Sequence, residues 1–478
     1  MNILAIDQGT SATKALVLGP GNEVLGSAEE PVHPRSTADG GVEQDPEELY
    51  RSVLGAGTAA LGQARAPVQA MALANQGETV LAWDRRSGRA LTPAIVWQDR
   101  RSSDICRRLS GSASRLAAIT GLPLDPYFAA PKMTWLRENL TAEGVVTTTD
   151  TWLLARLGAG YVTDAATASR TLLLDLETAD WSAEACGVFG LDPGALPEVG
   201  DCAGAFGETA AFGPSLPVTG LAVDQQAALL AERCFAAGEA KCTYGTGAFL
   251  LATTGPAPVR STAGLSASVA WRLAGSATYC LDGQVYTAGA AVRWLAGLGL
   301  VPSAEGLDAA GGSVPDSGGA VFVPALAGLG APHWRPEARG AFLGLGLGVT
   351  RAHLARAVVE GIAASVALLA GSVAVDGAPV GRLRADGGLT RSRLLVQAQA
   401  DLLQVPVEVS KAHDATALGV AALARLGAGD RDDLAEAVGQ AEVEWVAEPA
   451  ITADQAAERL AAYDLAVRAV LAQGAPSR

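Results

Sequence analysis

A strand–turn–strand pattern near the start of the chain constrains the fold more than any other feature. In ILAIDQGTSATKALVL, residues 3–18, two apolar runs flank a turn that holds Asp7, Thr10 and Lys14. Apolar runs of this length on either side of a glycine turn favour a β-hairpin. The same arrangement recurs about half a chain later in EAKCTYGTGAFLLATTG, residues 239–255. We therefore expect a duplicated α/β unit in which each copy carries a polar hairpin turn.

The length of the chain supports two domains. At 478 residues the chain is longer than a single hydrophobic core usually serves. We expect a first domain over residues 1–232 and a second over residues 233–478, divided where a helix ends before the second hairpin. The content of 49% hydrophobic and 18% charged residues is typical of a globular protein.

Charge and cysteine content exclude several classes of function. The formal net charge of −15 argues against a nucleic-acid partner, since phosphate backbones require a basic surface. The six cysteines form no Cys-x-x-Cys pair, which argues against a zinc site or a dithiol centre and suits a reducing cytoplasm. We see no signal peptide and no apolar run of about 18 residues, so we expect no membrane span and a cytoplasmic location.

Three glycine-bearing turns, at residues 7–14, 243–249 and 386–392, share one chemical feature. Tight glycine turns at strand ends expose backbone N–H groups, and these groups suit phosphate oxygens. None of the three turns is a Walker phosphate loop, and no Gly-x-Gly-x-x-Gly opens a dinucleotide-binding unit. Their spacing across the two half-repeats indicates a phosphate-containing ligand.

Several short motifs together carry a family resemblance. They occur in the order IDQGTSATK, NQGETVLAWD, AIVWQDRR, TGLPLDPYF, DQQAALL, TYGTGAFLL, GLGAPHW and ADGG. The chain resembles the FGGY carbohydrate kinases, most of all their glycerol kinase branch, from about residue 3 to residue 425. The resemblance implies two actin-like (ribonuclease H-like) α/β domains with a cleft between them. The first domain would hold the polyol or sugar pocket and the first phosphate hairpin, and the second would bind the nucleotide.

Two aspartates would carry the chemistry that this resemblance implies. Asp224 follows an apolar strand and precedes a helix, a position that also suits a plain N-cap, and its match to the family's catalytic aspartate assigns it as the general base. Phosphoryl transfer needs such a carboxylate to orient the acceptor hydroxyl and take its proton. Asp7 would orient Mg²⁺ through water, since Mg²⁺ keeps several waters and takes few carboxylates.

The resemblance also implies two sets of binding residues. The substrate would be held by Gly77, Glu78, Trp97, Tyr127, Asp224, Gln225 and Phe249. The ATP would be held by Thr10, Ser11, Lys14, Thr246, Gly289, Arg293, Gly388 and Ser392. Three of these positions depart from the usual pattern of the branch, because Lys14 replaces an arginine, Arg293 a glutamine and Ser392 an asparagine.

Gly77 is the departure that bears on the substrate, since the glycerol kinase branch has an arginine at this position. A hydrogen bond from a charged group contributes roughly 1.5–3 kcal/mol, so its absence costs about 10–100-fold in affinity for glycerol. The glycine also leaves a space. A longer polyol, a four- or five-carbon sugar or a side chain from elsewhere, such as one of the arginines near Arg100, would fit there.

The expected activity is ATP-dependent phosphorylation of a small polyol or sugar, with glycerol to glycerol 3-phosphate as the leading reaction. The first alternative is a kinase for another polyol or ketose, such as erythritol, xylulose or ribulose, because of Gly77. A second alternative from a different class is an actin-like ATPase without a sugar acceptor. The resemblance further implies a homodimer or homotetramer, and we expect the cleft to close on its ligands.

Overall fold

The structure, a computed structural model, describes residues 1–303, 306–411 and 414–473. Strands outnumber helices in both halves of the described chain, and the first half contains fifteen strands within the described residues. They are β1 (Ile3–Gln8), β2 (Ala12–Leu18), β3 (Val24–Pro31), β4 (Arg35–Ser36), β5 (Val42–Gln44), β6 (Ala70–Asn75), β7 (Val80–Trp83), β8 (Ala94–Ile95), β9 (Val145–Thr148), β10 (Val162–Asp164), β11 (Leu174–Asp175), β12 (Asp180–Trp181), β13 (Glu198–Gly200), β14 (Glu208–Thr209) and β15 (Leu216–Val223). The helices of this half are α1 (Pro46–Ala64), α2 (Ser103–Arg108), α3 (Ala113–Thr120), α4 (Ala129–Asn139), α5 (Thr149–Arg156), α6 (Ala165–Ala168), α7 (Ala183–Phe189) and α8 (Asp224–Ala231).

The second half repeats this mixture of strands and helices. Its strands are β16 (Glu239–Tyr244), β17 (Ala248–Gly255), β18 (Ser266–Leu273), β19 (Ser276–Val285), β20 (Val321–Val323), β21 (Ala341–Leu343), β22 (Arg382–Asp386), β23 (Val407–Ser410) and β24 (Val443–Ala447). Its helices are α9 (Gly289–Gly297), α10 (Leu307–Gly311), α11 (Arg351–Val375), α12 (Arg393–Leu403), α13 (Ala415–Gly427), α14 (Leu434–Val438) and α15 (Ala453–Gln473).

Two large mixed sheets share one topology. The N-terminal sheet has the strand order β14-β15-β6-β1-β2-β3, and the C-terminal sheet has the order β18-β19-β17-β16-β22-β23-β24. In the N-terminal sheet, the antiparallel hairpin of β1 and β2 is followed by two parallel pairs, β1 with β6 and β6 with β15. In the C-terminal sheet, the antiparallel hairpin of β16 and β17 is followed by two parallel pairs, β16 with β22 and β22 with β23. The predicted duplication of an α/β unit is therefore confirmed, and both predicted hairpins form.

The apolar run of β1 is explained by helices on both faces of its sheet. Ile3 and Ala5 point into a core shared with α8 and α13, whereas Leu4 and Ile6 point into a core shared with α1. All four side chains are fully buried. Alternate residues of a strand lie on opposite faces, so a sheet covered on both sides needs a continuous apolar run instead of an alternating one.

Two helices show how local sequence signals act. Asp45 caps α1, because its side chain accepts a hydrogen bond from the backbone N–H of Glu47 at 3.0 Å. Helix α11 begins with a capping box in which Thr350 and His353 bond reciprocally.

The expectation that no segment is apolar enough to cross a membrane is wrong for α11. This helix has 25 residues, and its mean hydropathy reaches 2.0 over 18 residues, so length and composition alone would allow a span. In this fold, 61% of that window is buried inside the protein. Side chains such as Val358, Ile362 and Leu369 belong to the core of the C-terminal half. An all-round apolar helix is equally the signature of a core helix.

Helix α13 crosses back to the N-terminal sheet. Its buried residues Val420, Ala421 and Leu423 pack with the β1 face of that sheet. A Cβ atom on Gly419 would lie 1.8 Å from the backbone oxygen of Ala227, so this glycine permits α13 to lie directly against α8. The carbonyl of Ala424 accepts a hydrogen bond from Thr219 at 3.0 Å. The linear boundary at residues 232 and 233 stays a prediction.

Candidate active site

A cavity of about 160 Å³ opens between the two sheets. The seven side chains and backbone positions predicted to bind the substrate all line it, and Thr10 joins them. The full set comprises Thr10, Gly77, Glu78, Trp97, Tyr127, Arg170, Val223, Asp224, Gln225, Gln226, Phe249, Leu251 and Asp282. We call this space the acceptor cavity.

Asp224 lies where the last parallel strand of the N-terminal sheet, β15, gives way to α8. The N-cap position is Val223, and Asp224 is the first helical residue, so the cap interpretation of Asp224 is wrong by one position. Its Oδ1 accepts the backbone N–H of Gln225 at 2.7 Å. Burial raises the pKa of the Asp224 carboxyl to about 6, while this hydrogen bond and the charges of Lys241 and Arg170 oppose the rise. A carboxyl with this pKa is suited to accept a proton near neutral pH.

A buried ion triad closes one side of the cavity. Arg170 donates from Nε to Glu78 at 2.7 Å and from Nη1 to Asp282 at 2.6 Å. Burial raises the pKa of Glu78 to about 7 against the opposing charge of Arg170. Glu78 also adopts a left-handed backbone with φ of 57°. A buried, strained acidic residue in a cleft is typical of a functional site.

Aromatic rings form the wall beside the triad, since the guanidinium carbon of Arg170 lies 5.9 Å from the ring centroid of Tyr127. The ring centroids of Trp97 and Tyr127 are 5.8 Å apart, and those of Trp97 and Phe249 are 6.2 Å apart, both pairs edge-to-face. Trp97 donates its indole N–H to Thr10 Oγ1 at 2.9 Å. Buried Lys132 donates to the backbone oxygen of Tyr127 at 2.5 Å and of Phe128 at 2.7 Å, which fixes the loop that carries Tyr127.

Val223 lies against Gly77 on one side. A Cβ atom at position 77 would lie 3.0 Å from Val223 Cγ2 and would have no other atom of the described residues within 4 Å outside its chain neighbours. Arg100 does not fill the space beside Gly77. It pairs with Asp125 at 2.8 Å and lies over the ring of Tyr286, outside the cavity lining. The space inferred from the sequence is therefore bounded on one side by an apolar side chain and belongs to the acceptor cavity.

A second cavity, of about 210 Å³, adjoins the first. Its polar lining comes from the turns of both hairpins, from the end of β22 and from the start of α13. These residues are Asp7, Lys14, Gln225, Thr243, Asp386, Asp414 and Thr416. We call it the phosphate cavity, and Gln225 is common to both spaces.

Carboxylates outnumber cations in the phosphate cavity. Burial and the neighbouring charges of Asp224 and Asp414 together raise the pKa of Asp7 to about 7, and the charge of Lys14 opposes the rise. Lys14, predicted to meet the ATP phosphates, forms an ion pair with Asp414. The Oδ2 atom of Asp386 is buried and has no hydrogen-bond partner. Such a site stabilises an added cation.

The donor chemistry fits magnesium rather than a protein-only metal cage. Within residues 1–303, 306–411 and 414–473, no group of three or more His, Cys, Asp or Glu side chains could hold a metal ion. Mg²⁺ prefers oxygen ligands and is usually bound through one or two carboxylates together with substrate phosphates and water. Asp7 and the unpaired oxygen of Asp386 supply that kind of ligand.

The other residues predicted to bind ATP lie beside the second and third turns. The backbone N–H of Gly289 donates to Gly245 at 3.0 Å, and Arg293 reaches Thr246 Oγ1 at 3.5 Å. These contacts place the start of α9 against the second hairpin turn. Gly388 begins a short 3₁₀ helix after β22. Ser392 caps α12 by accepting from Leu395 at 3.1 Å, and Ser11 is exposed at the first turn.

Sequence reasoning missed several residues of both cavities. They are Arg170, Val223, Gln226, Leu251 and Asp282 in the acceptor cavity, and Thr243, Asp386, Asp414 and Thr416 in the phosphate cavity. Thr243 and Asp386 stand at the starts of the two glycine turns already singled out, so the sequence carried a signal for them. The sequence carried no signal for Arg170, which follows the short helix α6, or for Asp282, which lies within β19.

Comparisons with known proteins agree with this geometry. Residues 2–231 match the N-terminal domain of the FGGY family of carbohydrate kinases, and residues 240–428 match its C-terminal domain. The chain is 46% identical to a glycerol kinase of Thermus brockianus, covering 89% of this chain and 90% of that protein. It is 43% identical to a glycerol kinase of Myxococcus xanthus over 97% of this chain and 98% of that protein.

Solved structures of kinases named for different acceptors have the same fold as this chain. The glycerol kinase of Plasmodium falciparum with ADP superposes with a TM-score of 0.91 at 30% identity, covering 98% of both chains. A gluconate kinase from Lactobacillus acidophilus also gives a TM-score of 0.91, at 22% identity, covering 99% of this chain and 98% of that one. Proteins named for different acceptors thus share the fold equally, so the fold by itself does not decide the acceptor.

Proposed function

The chain belongs to the FGGY family of carbohydrate kinases and is a phosphotransferase for a polyol or sugar, and we propose that it transfers the γ-phosphoryl group of ATP to glycerol. The observation that carries the choice of acceptor is the similarity to two proteins named glycerol kinase, at 46% and 43% identity over 89% and 97% of this chain. The acceptor cavity, of about 160 Å³, has room for a small polyol, and Val223 bounds it beside Gly77.

The acceptor cavity is suited to hold a small neutral polyol. Glu78 and Asp282 supply carboxylate oxygens that accept hydrogen bonds from hydroxyls, and Arg170 fixes both carboxylates in place. Gln225 would hold a neighbouring hydroxyl, and the rings of Trp97 and Phe249 would cover the carbon chain. The charges of the triad are paired within the protein, so an uncharged ligand adds no unbalanced charge.

The phosphate cavity would receive the triphosphate of ATP with magnesium. Asp7 would orient the ion through water, and Asp386 provides a further oxygen nearby. When bound, the ion neutralises phosphate charge and offsets the carboxylates of this cavity. Lys14 and the hydroxyl of Thr10 would contact the phosphates, and Thr246, Gly289, Arg293, Gly388 and Ser392 would contact the rest of the nucleotide.

The chemical step then needs one base and good positioning. Asp224 accepts the proton of the acceptor hydroxyl, whose oxygen forms a bond with the γ-phosphorus while the bond from that phosphorus to the β–γ bridging oxygen breaks. The products are glycerol 3-phosphate, ADP and a protonated Asp224 that later releases its proton to solvent. The raised pKa of Asp224, about 6, leaves most molecules ionised and ready at neutral pH. Closure around the ligands would exclude water as a competing acceptor.

We also propose a cytoplasmic location, and all six cysteines are free and buried, as suits a reducing compartment. The homodimer or homotetramer that the resemblance implies stays a prediction.

An ADP-release assay with Mg·ATP and a panel of acceptors tests the proposal. The panel contains glycerol, erythritol, ribitol, xylulose, ribulose, gluconate and dihydroxyacetone. We expect glycerol to give the highest kcat/KM and ADP release without acceptor to be at background. A longer acceptor that exceeds glycerol tenfold would overturn the choice of glycerol, and acceptor-independent ADP release would point to an ATPase.

A further inference from the structure

We propose that Lys241 is a positioning residue for phosphoryl transfer. It joins Gln225, which lines both cavities, to Thr243 beside the second glycine turn, in the C-terminal sheet. The inference rests on the proposed phosphotransferase function but not on glycerol as its acceptor. Lys241 lines neither cavity, and it would act through the residues it holds.

The geometry links the two halves of the protein. Lys241 Nζ donates to Gln225 Oε1 at 2.6 Å and to Thr243 Oγ1 at 2.7 Å. Gln225 lies on α8 of the N-terminal half, next to Asp224, whereas Thr243 lies on β16 of the C-terminal half. Lys241 and Thr243 are two residues apart on β16, so their side chains share the face directed at α8. One ammonium group thus fixes the amide beside the base and the hydroxyl beside the phosphates.

The location of this charge is unusual for a structural lysine. Lys241 is fully buried, and a buried ammonium is costly unless nearby groups compensate it. Within the part of the chain that the structure describes, Lys241 forms no ion pair of 4 Å or less, although many other basic residues do. Two neutral oxygens therefore receive its hydrogen bonds, and a purely structural role would be served as well by an apolar side chain.

The charge of Lys241 instead reaches four buried carboxyl groups at longer range. Burial raises the pKa of Asp224, Glu232, Asp282 and Asp386, and the positive charge of Lys241 opposes that rise at each of them. Two of these groups belong to the N-terminal half and two to the C-terminal half. Lys241 is thus the common cation of the surface along which the halves meet.

The test compares Lys241→Met with the wild-type protein. Kinetics are measured with the acceptor that gives the highest kcat/KM in the panel, so an error about glycerol would not affect the result. We expect kcat to fall about 10–100-fold, which is the value of one or two charged hydrogen bonds. Calorimetry with that acceptor in the absence of ATP should show weaker binding by about tenfold, because Gln225 loses its restraint.

Controls separate positioning from stability. Lys411→Met removes an exposed lysine that pairs with Glu442 at 2.6 Å, and it should leave kcat and acceptor affinity unchanged. All measurements are made at 25 °C after the melting temperature of each variant is known. A folded Lys241→Met protein with wild-type kcat and acceptor affinity would overturn the proposal.

A second variant decides the case in which Lys241→Met does not fold. Lys241→Arg keeps the charge but moves the donor nitrogens away from the position of Nζ. We expect it to melt like the wild type with kcat lowered by at least about fivefold. Wild-type kcat in folded Lys241→Arg would show that any charge at this place suffices, and positioning by Lys241 would be rejected.

Discussion

The acceptor cavity and the phosphate cavity adjoin each other and share Gln225, yet their charges are arranged differently. In the acceptor cavity, one cation, Arg170, bridges two carboxylates, Glu78 and Asp282. In the phosphate cavity, the only lysine among the described residues is paired with Asp414 alone, and Asp7 has no ion-pair partner there. Carboxyl groups outnumber cations in both cavities, but only the acceptor cavity has a cation that joins two of them.

This difference bears on which ligand each cavity would accept. A neutral polyol brings no charge that must be desolvated, so it can enter a cavity whose carboxylates are held by Arg170. A triphosphate is anionic, so a cavity rich in carboxylates would accept it only together with a cation. We therefore predict that the phosphate cavity binds Mg·ATP more tightly than free ATP.

Replacing the base should produce the largest effect and sharpen the distinction between binding and chemistry. We expect Asp224→Asn to lower kcat by about 10²–10⁴-fold, because the amide cannot take the proton of the acceptor hydroxyl. Acceptor affinity, measured by calorimetry, should change less than threefold. Asp45→Asn is a matched control, since asparagine caps a helix as well as aspartate does. Near-normal turnover of Asp224→Asn would remove Asp224 from the role of base.

Removing a carboxylate from the phosphate cavity should have opposite effects on catalysis and on stability. We expect Asp7→Asn to lower kcat/KM for Mg·ATP about 10–100-fold through the loss of a charged contact. Without ligands, the same variant should melt higher than the wild type at pH 8. The pKa of Asp7 is raised from an ordinary value of about 4 to about 7 in the fold, so the folded state loses stability as the pH rises from about 4 to about 7, and the full loss is present at pH 8.

The sign of this stability difference provides its own check. Below about pH 7, folded Asp7 is protonated, so the advantage of Asp7→Asn should shrink as the pH falls from 8 to 5. Scanning calorimetry in EDTA at both pH values measures it. A variant that melts lower than the wild type at pH 8 would contradict the proposed excess of negative charge in the phosphate cavity.

Enlarging the acceptor cavity should have the smallest effect. It tests whether Val223 limits the size of the acceptor. We expect Val223→Ala to shift the ratio of kcat/KM for erythritol over glycerol upwards by about tenfold, the usual value of one or two methyl groups in a pocket. Val218→Ala on the same strand is the control, because Val218 is buried outside the cavity. An unchanged ratio in Val223→Ala would show that Val223 does not limit the acceptor.

Much of the architecture could be predicted because it depends on residues that are close together in the sequence. The hairpins at Asp7 and Gly245, the capped start of α1 and the strand–turn–helix after Arg382 all follow from apolar runs and turn residues adjacent in sequence. The substrate residues were predicted through motifs that resemble a known family. Arg170 and Asp282 were missed because their partners are distant in sequence, 92 and 112 residues apart, and nothing nearby indicates the pairing.

The sequence by itself determined the duplicated α/β unit, the three phosphate-type turns and the family of the chain, since each depends on residues that are neighbours along the chain. Only the tertiary structure decided that Val223 lies against Gly77, that α11 is a core helix and that Lys241 connects β16 to α8. Each of these outcomes depends on which surfaces meet after folding. Close packing joins residues that no local pattern relates, and the size and charge of the two cavities follow from that packing.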